Sequence, residues 1–196
     1  MIPRVILARV SAPAAMPVTL AEAKTQTRVT GSDDDGYLTA LIARAVAYVD
    51  AQGVLGRAMI SQTWSQACQY PSGRVRLRMG TVQSIAAVKF YDDANVLQTA
   101  TLADYRLVAG DDFAYVEPVI GSAWPTAFDR VDAVRIEFVA GYGDEAEDVP
   151  ADLRHALLLL VGHWYENREN SGEIAMHDIA MGFEMLTGNH RASWYG

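Results

Sequence analysis

The sequence has 196 residues, with 24 acidic against 16 basic side chains and a formal net charge of −8 at pH 7. The acidic balance excludes a protein that coats nucleic acid, although it suits the wall of a passage through which DNA slides. The single Cys68 excludes an intramolecular disulfide, and no stretch reaches the roughly 18 apolar residues of a membrane-spanning helix. Arg4 and Arg9 interrupt the apolar start too early for a secretory leader, so we expect a chain that stays in the cytoplasm.

Residues 1–17 contain Pro3, Pro13 and Pro17, which predict an extended N-terminal arm. Thr19 and Glu22 have capping-box spacing, which predicts a helix that begins there and ends near Gly31. Residues 32–35, one serine and three aspartates, predict the start of a second helix. Its apolar face would comprise Leu38, Leu41, Ile42, Ala45, Val46 and Val49.

The periodicity changes to strands between residues 58 and 142. Residues 74–79 alternate strictly, so Arg74, Arg76 and Arg78 share one face of a strand and the apolar residues share the other. Further strands are expected over residues 82–91, 105–108, 113–116 and 134–139, separated by short turns. The pattern predicts a mostly antiparallel β domain and, with the flanking helices, an α+β fold.

Pro150 opens a third helix, whose apolar stripe is widened by Leu158 and Leu159. We expect this helix to be enclosed on more than one side, by the β region or by a neighbouring subunit. The segment from residue 171 to 196 is too apolar for a free tail and predicts docking on a partner. The candidate interface residues are Trp164, Tyr165, Arg168, Met181, Phe183, Met185, Leu186, Trp194 and Tyr195.

Motifs for catalysis or metal binding are missing from the sequence. The four histidines form no metal-ligand pair, and there is no nucleophile elbow or phosphate-binding glycine loop. The acidic clusters at residues 33–35 and 92–93 fit helix capping and turns. We therefore predict no catalytic residue, no metal and no cofactor. The face formed by Arg74, Arg76 and Arg78 is the one concentrated basic feature, and it suits solvent, an acidic neighbour or DNA in a channel.

Several segments occur in order between residues 17 and 170: 17–24 (PVTLAEAK), 56–64 (GRAMISQTW), 82–85 (VQSI), 88–92 (VKFYD), 124–125 (WP), 138–143 (FVAGYG), 149–150 (VP) and 164–168 (WYENR). Together they resemble the head–tail connector, or adaptor, family of long-tailed phages and gene transfer agents. The resemblance implies a structural protein and not an enzyme. The stretch from Ser171 onward matches no motif of the family.

The resemblance implies a helical core, of two N-terminal helices and a long C-terminal one, that carries an inserted β domain and an extended C-terminal tail. The implied boundaries are 18–57 with 148–170 for the core, 58–147 for the β domain and 171–196 for the tail. Family members form a homo-oligomeric ring, expected to be a dodecamer, beneath the portal protein at the head–tail junction of a virion or phage-like particle. The ring joins the DNA-filled capsid to stopper, head-completion or tail-terminator proteins, and double-stranded DNA passes through it only as cargo.

Two other readings of the sequence stay open. One is a stand-alone protein-interaction module that is unrelated to a virion and uses the β region. The other is a small metal-dependent hydrolase or nuclease that uses Asp92, Asp93 or His163. A defined ring with a portal partner would argue against the first. Activity that depends on a divalent metal and is lost in Asp92→Ala would support the second.

Overall fold

The computed structural model describes residues 6–110, 113–168 and 182–192. By its internal contacts the chain divides into two units: residues 1–14 with 61–141, here the β unit, and residues 15–60 with 142–196, here the helical unit. The chain therefore passes between the units three times. The fold is α+β, as predicted. The four-part division of the chain made from the sequence, with its boundaries, stays a prediction.

The helical unit is built from α1 (Leu20–Thr27), α2 (Asp35–Val49), α3 (Ala151–Glu166) and a short helical segment, α4 (182–187). The predicted apolar faces of α2 and α3 lie in one core. The five predicted face residues of α2 other than Val46 are buried, and Val46 packs against the core partly exposed. The α3 residues in this core are Leu153, Ala156, Leu157, Leu160 and Val161.

The first helix begins as predicted but ends earlier. The Thr19 hydroxyl accepts a hydrogen bond from the Glu22 backbone N–H, and the Glu22 carboxylate accepts one from the Thr19 N–H. The expected end at Gly31 is wrong, because Arg28 already adopts the left-handed conformation with φ of 57°. There, the N–H groups of Arg28 and Val29 bond to the carbonyls of the last helical turn, which ends the helix without a glycine.

The wide stripe of α3 is explained largely within its own unit. This helix packs against both α1 and α2, so two of its sides are enclosed. Leu158 packs partly buried against the core, while Leu159 is half-buried and does not belong to it. Pro150 precedes the helix as its N-cap residue instead of occupying the first helical position.

The β unit contains two antiparallel sheets. The larger one has five strands in the order β1 (Ile6–Ser11), β2 (Gln62–Cys68), β8 (Val134–Ala140), β4 (Val82–Tyr91) and β5 (Leu97–Thr99). The smaller one has the order β3 (Val75–Leu77), β7 (Ala114–Pro118) and β6 (Tyr105–Ala109). Residues 6–11, expected as part of an extended arm, instead pair with β2 as an edge strand.

The interior of the β unit combines apolar residues with two glutamines. Trp64, Ile136, Phe138, Leu77 and Met79 are almost fully buried. Gln62 and Gln66 flank Trp64 on the same side of β2 and are buried with it. Since a buried amide costs free energy unless it is hydrogen-bonded, these glutamines need polar partners inside the unit.

Candidate functional site

The exposed side of the three-stranded sheet collects most of the features that suggest a binding surface. Strand register places Arg76 opposite Tyr115 across β3 and β7, and Glu117 opposite Arg106 across β7 and β6. Side chains two residues apart share a face, so the predicted alternation over residues 74–79 is confirmed. We call this surface the basic face; it comprises Arg74, Arg76, Arg78, Arg106, Val108, Phe113, Tyr115 and Glu117.

Glu117 organises two arginines of the basic face. Its carboxylate accepts hydrogen bonds from Arg106 Nε at 2.7 Å and from Arg74 Nε at 3.0 Å. These hydrogen bonds, the one from Arg106 first, lower the pKa of Glu117 below its usual value, so the carboxylate stays ionised. The guanidinium of Arg74 also lies 5.7 Å from the centre of the Tyr115 ring. Both arginines remain about 60% exposed, at 63% and 61%.

The same face exposes apolar side chains between its arginines. Phe113 is 42% exposed and Val108 is 40% exposed. The rings of Phe113 and Tyr115 are tilted against each other, with their centres 5.8 Å apart. Exposed aromatic residues next to arginines are typical of the centre of a protein interface.

Gln66 fixes β3 and the residue that follows it, in the segment from 74 to 78 that holds three of the four arginines. Its amide group donates to the Arg76 carbonyl at 2.8 Å, and its carbonyl oxygen accepts the Arg78 backbone N–H at 2.7 Å. The Gln66 side chain therefore makes the backbone hydrogen bonds that a neighbouring strand would otherwise make on both sides of Leu77. The sequence did not reveal this role of Gln66; a glutamine at even spacing from Trp64, on the buried face of a strand, was the available signal.

A second cluster, the Asp34 cluster, joins the start of α2 to the end of α3. The carboxylate of Asp34 accepts hydrogen bonds from the Tyr165 hydroxyl and from Arg168, the latter at 3.1 Å. The guanidinium of Arg168 lies over the rings of Tyr37 and Tyr165, at 4.6 and 5.0 Å from their centres. The bond from Tyr165 is the main cause that lowers the pKa of Asp34, and the same bond raises the pKa of Tyr165.

The other aromatic candidate on α3 also has partners inside the helical unit. Trp164 is half-buried, stacks under the Arg44 guanidinium at 4.3 Å and packs edge-on against Tyr48. Tyr48 itself is 52% exposed. Trp164, Tyr165 and Arg168, proposed from the sequence as interface residues, therefore take part in intramolecular contacts; their role between subunits stays a prediction.

The described part of the C-terminal segment packs into the helical unit. Phe183 is buried against Tyr48, and Leu186 packs partly buried on the same core. The Ala192 backbone N–H bonds to the Leu55 carbonyl at 2.9 Å. Met185 differs from these residues, since it is 81% exposed. Met181, Trp194 and Tyr195 lie outside the described residues.

His190 connects α4 to the rest of the helical unit. Its Nδ1 lies 3.3 Å from the Tyr142 hydroxyl, and its Nε2 lies 3.3 Å from an Asp152 carboxylate oxygen. The contact with His190 is the first cause that lowers the pKa of Asp152. These contacts, with the Thr187 hydroxyl bonded to the Phe183 carbonyl, hold the segment from 182 to 192 against the unit.

Two of the residues suggested for metal-dependent chemistry, Asp92 and His163, form local hydrogen bonds in a turn and at a helix end. Asp92 closes the β4–β5 turn by accepting hydrogen bonds from the N–H groups of Ala94 and Val96, and the bond from Val96 is the main cause that lowers its pKa. His163 bonds through its ring to Asn167 at the end of α3. Across residues 6–110, 113–168 and 182–192, no three His, Cys, Asp or Glu side chains form a group that could hold a metal ion.

Within the same described ranges, no helix combines the length and the apolar character that a bilayer crossing requires.

Comparison with known proteins identifies relatives. The sequence model for the phage gp6-like head-tail connector protein family matches residues 17–96 and 109–188. Among solved structures, a chain from the neck of an empty GTA particle, computed with C6 symmetry, aligns with a TM-score of 0.79 at 26% identity. A chain from the neck of the native GTA particle, computed with C12 symmetry, gives 0.71 at 25%. Each alignment covers 95% of both chains.

A chain from the virion of the native gene transfer agent particle shares the fold with a TM-score of 0.71 and 24% identity, again over 95% of both chains. No curated protein sequence matches.

Proposed function

Because this chain belongs to the family of phage gp6-like head–tail connector proteins, we propose that it forms a homo-oligomeric ring at the neck of a phage or gene-transfer-agent particle. The observation that carries the proposal is the family match over most of the chain. The agreement with neck components over 95% of the chain supports it. The ring joins the DNA-filled capsid to the stopper and tail proteins. Its symmetry is twelvefold, in keeping with the C12 symmetry used for the native GTA neck.

The helical core supplies the body of the ring in this proposal. It carries the inserted β domain and ends in a C-terminal docking tail. The half-buried aromatic residues at the end of α3 suit subunits that pack side by side. Exposed Met185, together with Met181, Trp194 and Tyr195, is proposed to reach the portal protein. Many copies of a weak contact around a ring act together, so no single one needs high affinity.

The acidic net charge suits the wall of a DNA passage. A duplex that must leave the capsid quickly is slowed by a surface that neutralises its phosphates, because each such contact adds to the affinity. A chain with a net charge of −8 repels the duplex on average. DNA is therefore cargo in this proposal, and the protein reads no sequence.

The test is electron microscopy of particles from a producing host in which this coding region is deleted. We expect emptied or DNA-leaking heads beside separate tails, and restoration of complete particles when the wild-type chain is supplied from a plasmid. Normal tailed particles in the deletion strain would remove the protein from the head–tail junction.

The docking of the C-terminal segment needs a milder test than truncation. Deleting residues from 171 onward would also remove Phe183 and the Ala192–Leu55 hydrogen bond, so the helical unit would lose part of its core. The substitution Met185→Asp changes a side chain that is 81% exposed and should leave thermal unfolding unchanged. We expect it to weaken capture by immobilised portal protein about tenfold, the effect of one lost anchor. Unchanged capture would show that Met185 does not contact the portal.

A further inference from the structure

The basic face departs from the electrostatics of the rest of the protein. Its four arginines and one glutamate give a net charge of +3, so the remainder of the chain carries −11 against the total of −8. The count covers the strands of the face and Phe113; Asp111 and Asp112, in the connection between β6 and β7, lie outside the described residues. A quarter of the 16 basic residues thus lie on one side of a three-stranded sheet.

We propose that the basic face docks on an acidic loop of a neighbouring copy of this chain, and that this contact joins successive subunits of the ring. The proposal rests on the proposed function, since it requires the ring. It assigns a protein partner to the basic face, for which the sequence allowed three surroundings: solvent, an acidic neighbour or DNA.

The composition of the face favours protein over DNA. Phe113 and Val108 expose apolar surface between the arginines, and a duplex backbone with its charged phosphates offers little apolar surface to cover them. The Glu117 carboxylate accepts hydrogen bonds from both Arg74 and Arg106, so its negative charge would repel a phosphate placed there. A ring of phosphate-binding faces would also retard the DNA that the neck must release. A contact between subunits avoids the last of these objections, because it does not bind the duplex.

The chain itself offers a matching surface in the loop from Asp144 to Asp148. Asp144, Glu145, Glu147 and Asp148 are all exposed, and no basic residue interrupts them. Glu145 and Asp148 form a reciprocal capping box around the turn, which fixes its backbone. The turn lies close to the preceding chain: a Cβ atom at Gly143 would lie 2.1 Å from the Asp148 carboxylate. The four carboxylates are therefore presented on a compact, prearranged loop.

Geometry of assembly supports this pairing. A contact between two different surfaces of identical subunits is heterologous, and such contacts close into rings when the rotation between neighbours divides a full turn. The basic face lies in the β unit and the acidic loop in the helical unit, so they are distinct surfaces of one chain. Opposite charges at the contact would speed encounter and set which surfaces meet.

Charge exchange within one chain tests the pairing directly. The face variant carries Arg76→Glu and Arg78→Glu, the loop variant carries Asp144→Arg and Glu147→Arg, and the swap variant carries all four. In a ring of swap subunits, the side chains exchanged at positions 76, 78, 144 and 147 again meet as opposite charges. A control with Arg9→Glu and Arg191→Glu has the same net charge as the face variant but alters exposed arginines elsewhere.

The readout is the number of copies retained per portal in particles purified from the complemented deletion strain, measured by quantitative mass spectrometry. We expect the face and loop variants each to lose about tenfold in retention, the swap variant to recover to within about twofold of wild type, and the control to match wild type. Thermal unfolding of each purified chain checks that it folds.

The possible failures separate the two proposals. A swap variant no better than its parents, beside a wild-type ring visible at the neck, would overturn the acidic-loop contact and leave the neck role intact. The basic face would be assigned to DNA if the loop variant were retained at the wild-type level and if the face variant lost a salt-dependent binding to DNA. A wild-type chain absent from purified necks would overturn the proposed function itself.

Discussion

The helical unit and the β unit build their interiors by different means. The helical unit buries continuous apolar stripes from α2 and α3, and its buried polar side chains, Asp50, Arg57 and Thr187, lie outside these two helices. The β unit buries Gln62 and Gln66 beside Trp64, and Gln66 holds β3 through two hydrogen bonds to backbone groups. The helices satisfy their backbone groups internally, and a buried side chain is needed where the chain leaves α2: the Asp50 carboxylate accepts the Met59 backbone N–H at 2.8 Å. Short strands leave backbone groups unpaired, and a buried side chain must supply the missing partner.

A cavity in the helical core should give the largest effect. Leu157→Ala removes a fully buried side chain of α3 and should cost about 3 kcal/mol in the free energy of unfolding. Leu159→Ala, on the same helix but half-buried and outside that core, should cost less than about 1 kcal/mol. Urea unfolding followed by circular dichroism measures both. Equal losses would mean that the core is not centred on Leu157.

Removing the polar bridge of the β unit should come next. Gln66→Ala leaves the Arg76 carbonyl and the Arg78 N–H without this partner, and we expect a loss of about 2 kcal/mol. The loss should be accompanied by faster amide hydrogen exchange at residue 78. Gln69→Ala, at a half-buried glutamine whose side chain bonds to Asp129 and not to the backbone of β3, is the matched control and should change little. Unchanged exchange at residue 78 would contradict the bridging role.

Acid should weaken the β unit through one carboxylate. Hydrogen bonds from Arg130 first, and then from Arg135, lower the pKa of Asp132 to about 2 from a reference of 3.8. A group with a lowered folded pKa stabilises the fold above its unfolded pKa, so its contribution is lost as pH falls from about 4 to about 2. We expect about 1 kcal/mol, allowing for solvent screening of the pair. Urea midpoints across this range should fall more steeply for wild type than for Asp132→Asn; parallel curves would contradict this.

The smallest expected effect concerns the start of α1. Thr19→Ala removes the hydroxyl that accepts the Glu22 N–H and should cost about 0.7 kcal/mol. Thr19→Ser keeps an acceptor oxygen and should behave like wild type. A thermal shift that is the same for both variants would show that the methyl group of Thr19, and not the cap, stabilises this end of the helix.

Sequence reasoning succeeded where a single element determines its own pattern. The apolar period of α2, the capping box at Thr19 and the alternation over residues 74–79 each follow from local spacing. The predicted end of α1 near Gly31 was wrong, because Arg28 adopts the left-handed conformation that was expected of a glycine.

Features that depend on distant partners could not be read from the sequence. The strand at residues 6–11 pairs with residues 63–67, and no local signal indicates a partner so far along the chain. Likewise, the alternation identified the arginines of β3 but not Arg106, Phe113 and Tyr115, which join them only through the register of β6 and β7. The prediction located a basic strand, whereas the structure shows a basic and aromatic surface.

The three passages of the chain between the units have a consequence for biosynthesis. Strand β1 leaves the ribosome first, but its partner β2 follows about 50 residues later, and β8, which pairs with β2, ends only at Ala140. The helical core is completed later still, because α3 ends only at Glu166. At roughly 5–20 residues per second, the nascent chain keeps both cores incomplete for seconds to tens of seconds. The larger sheet therefore cannot be completed before residue 140 is made, nor the packing of the three long helices before residue 166, which leaves a long interval in which nascent-chain chaperones can bind.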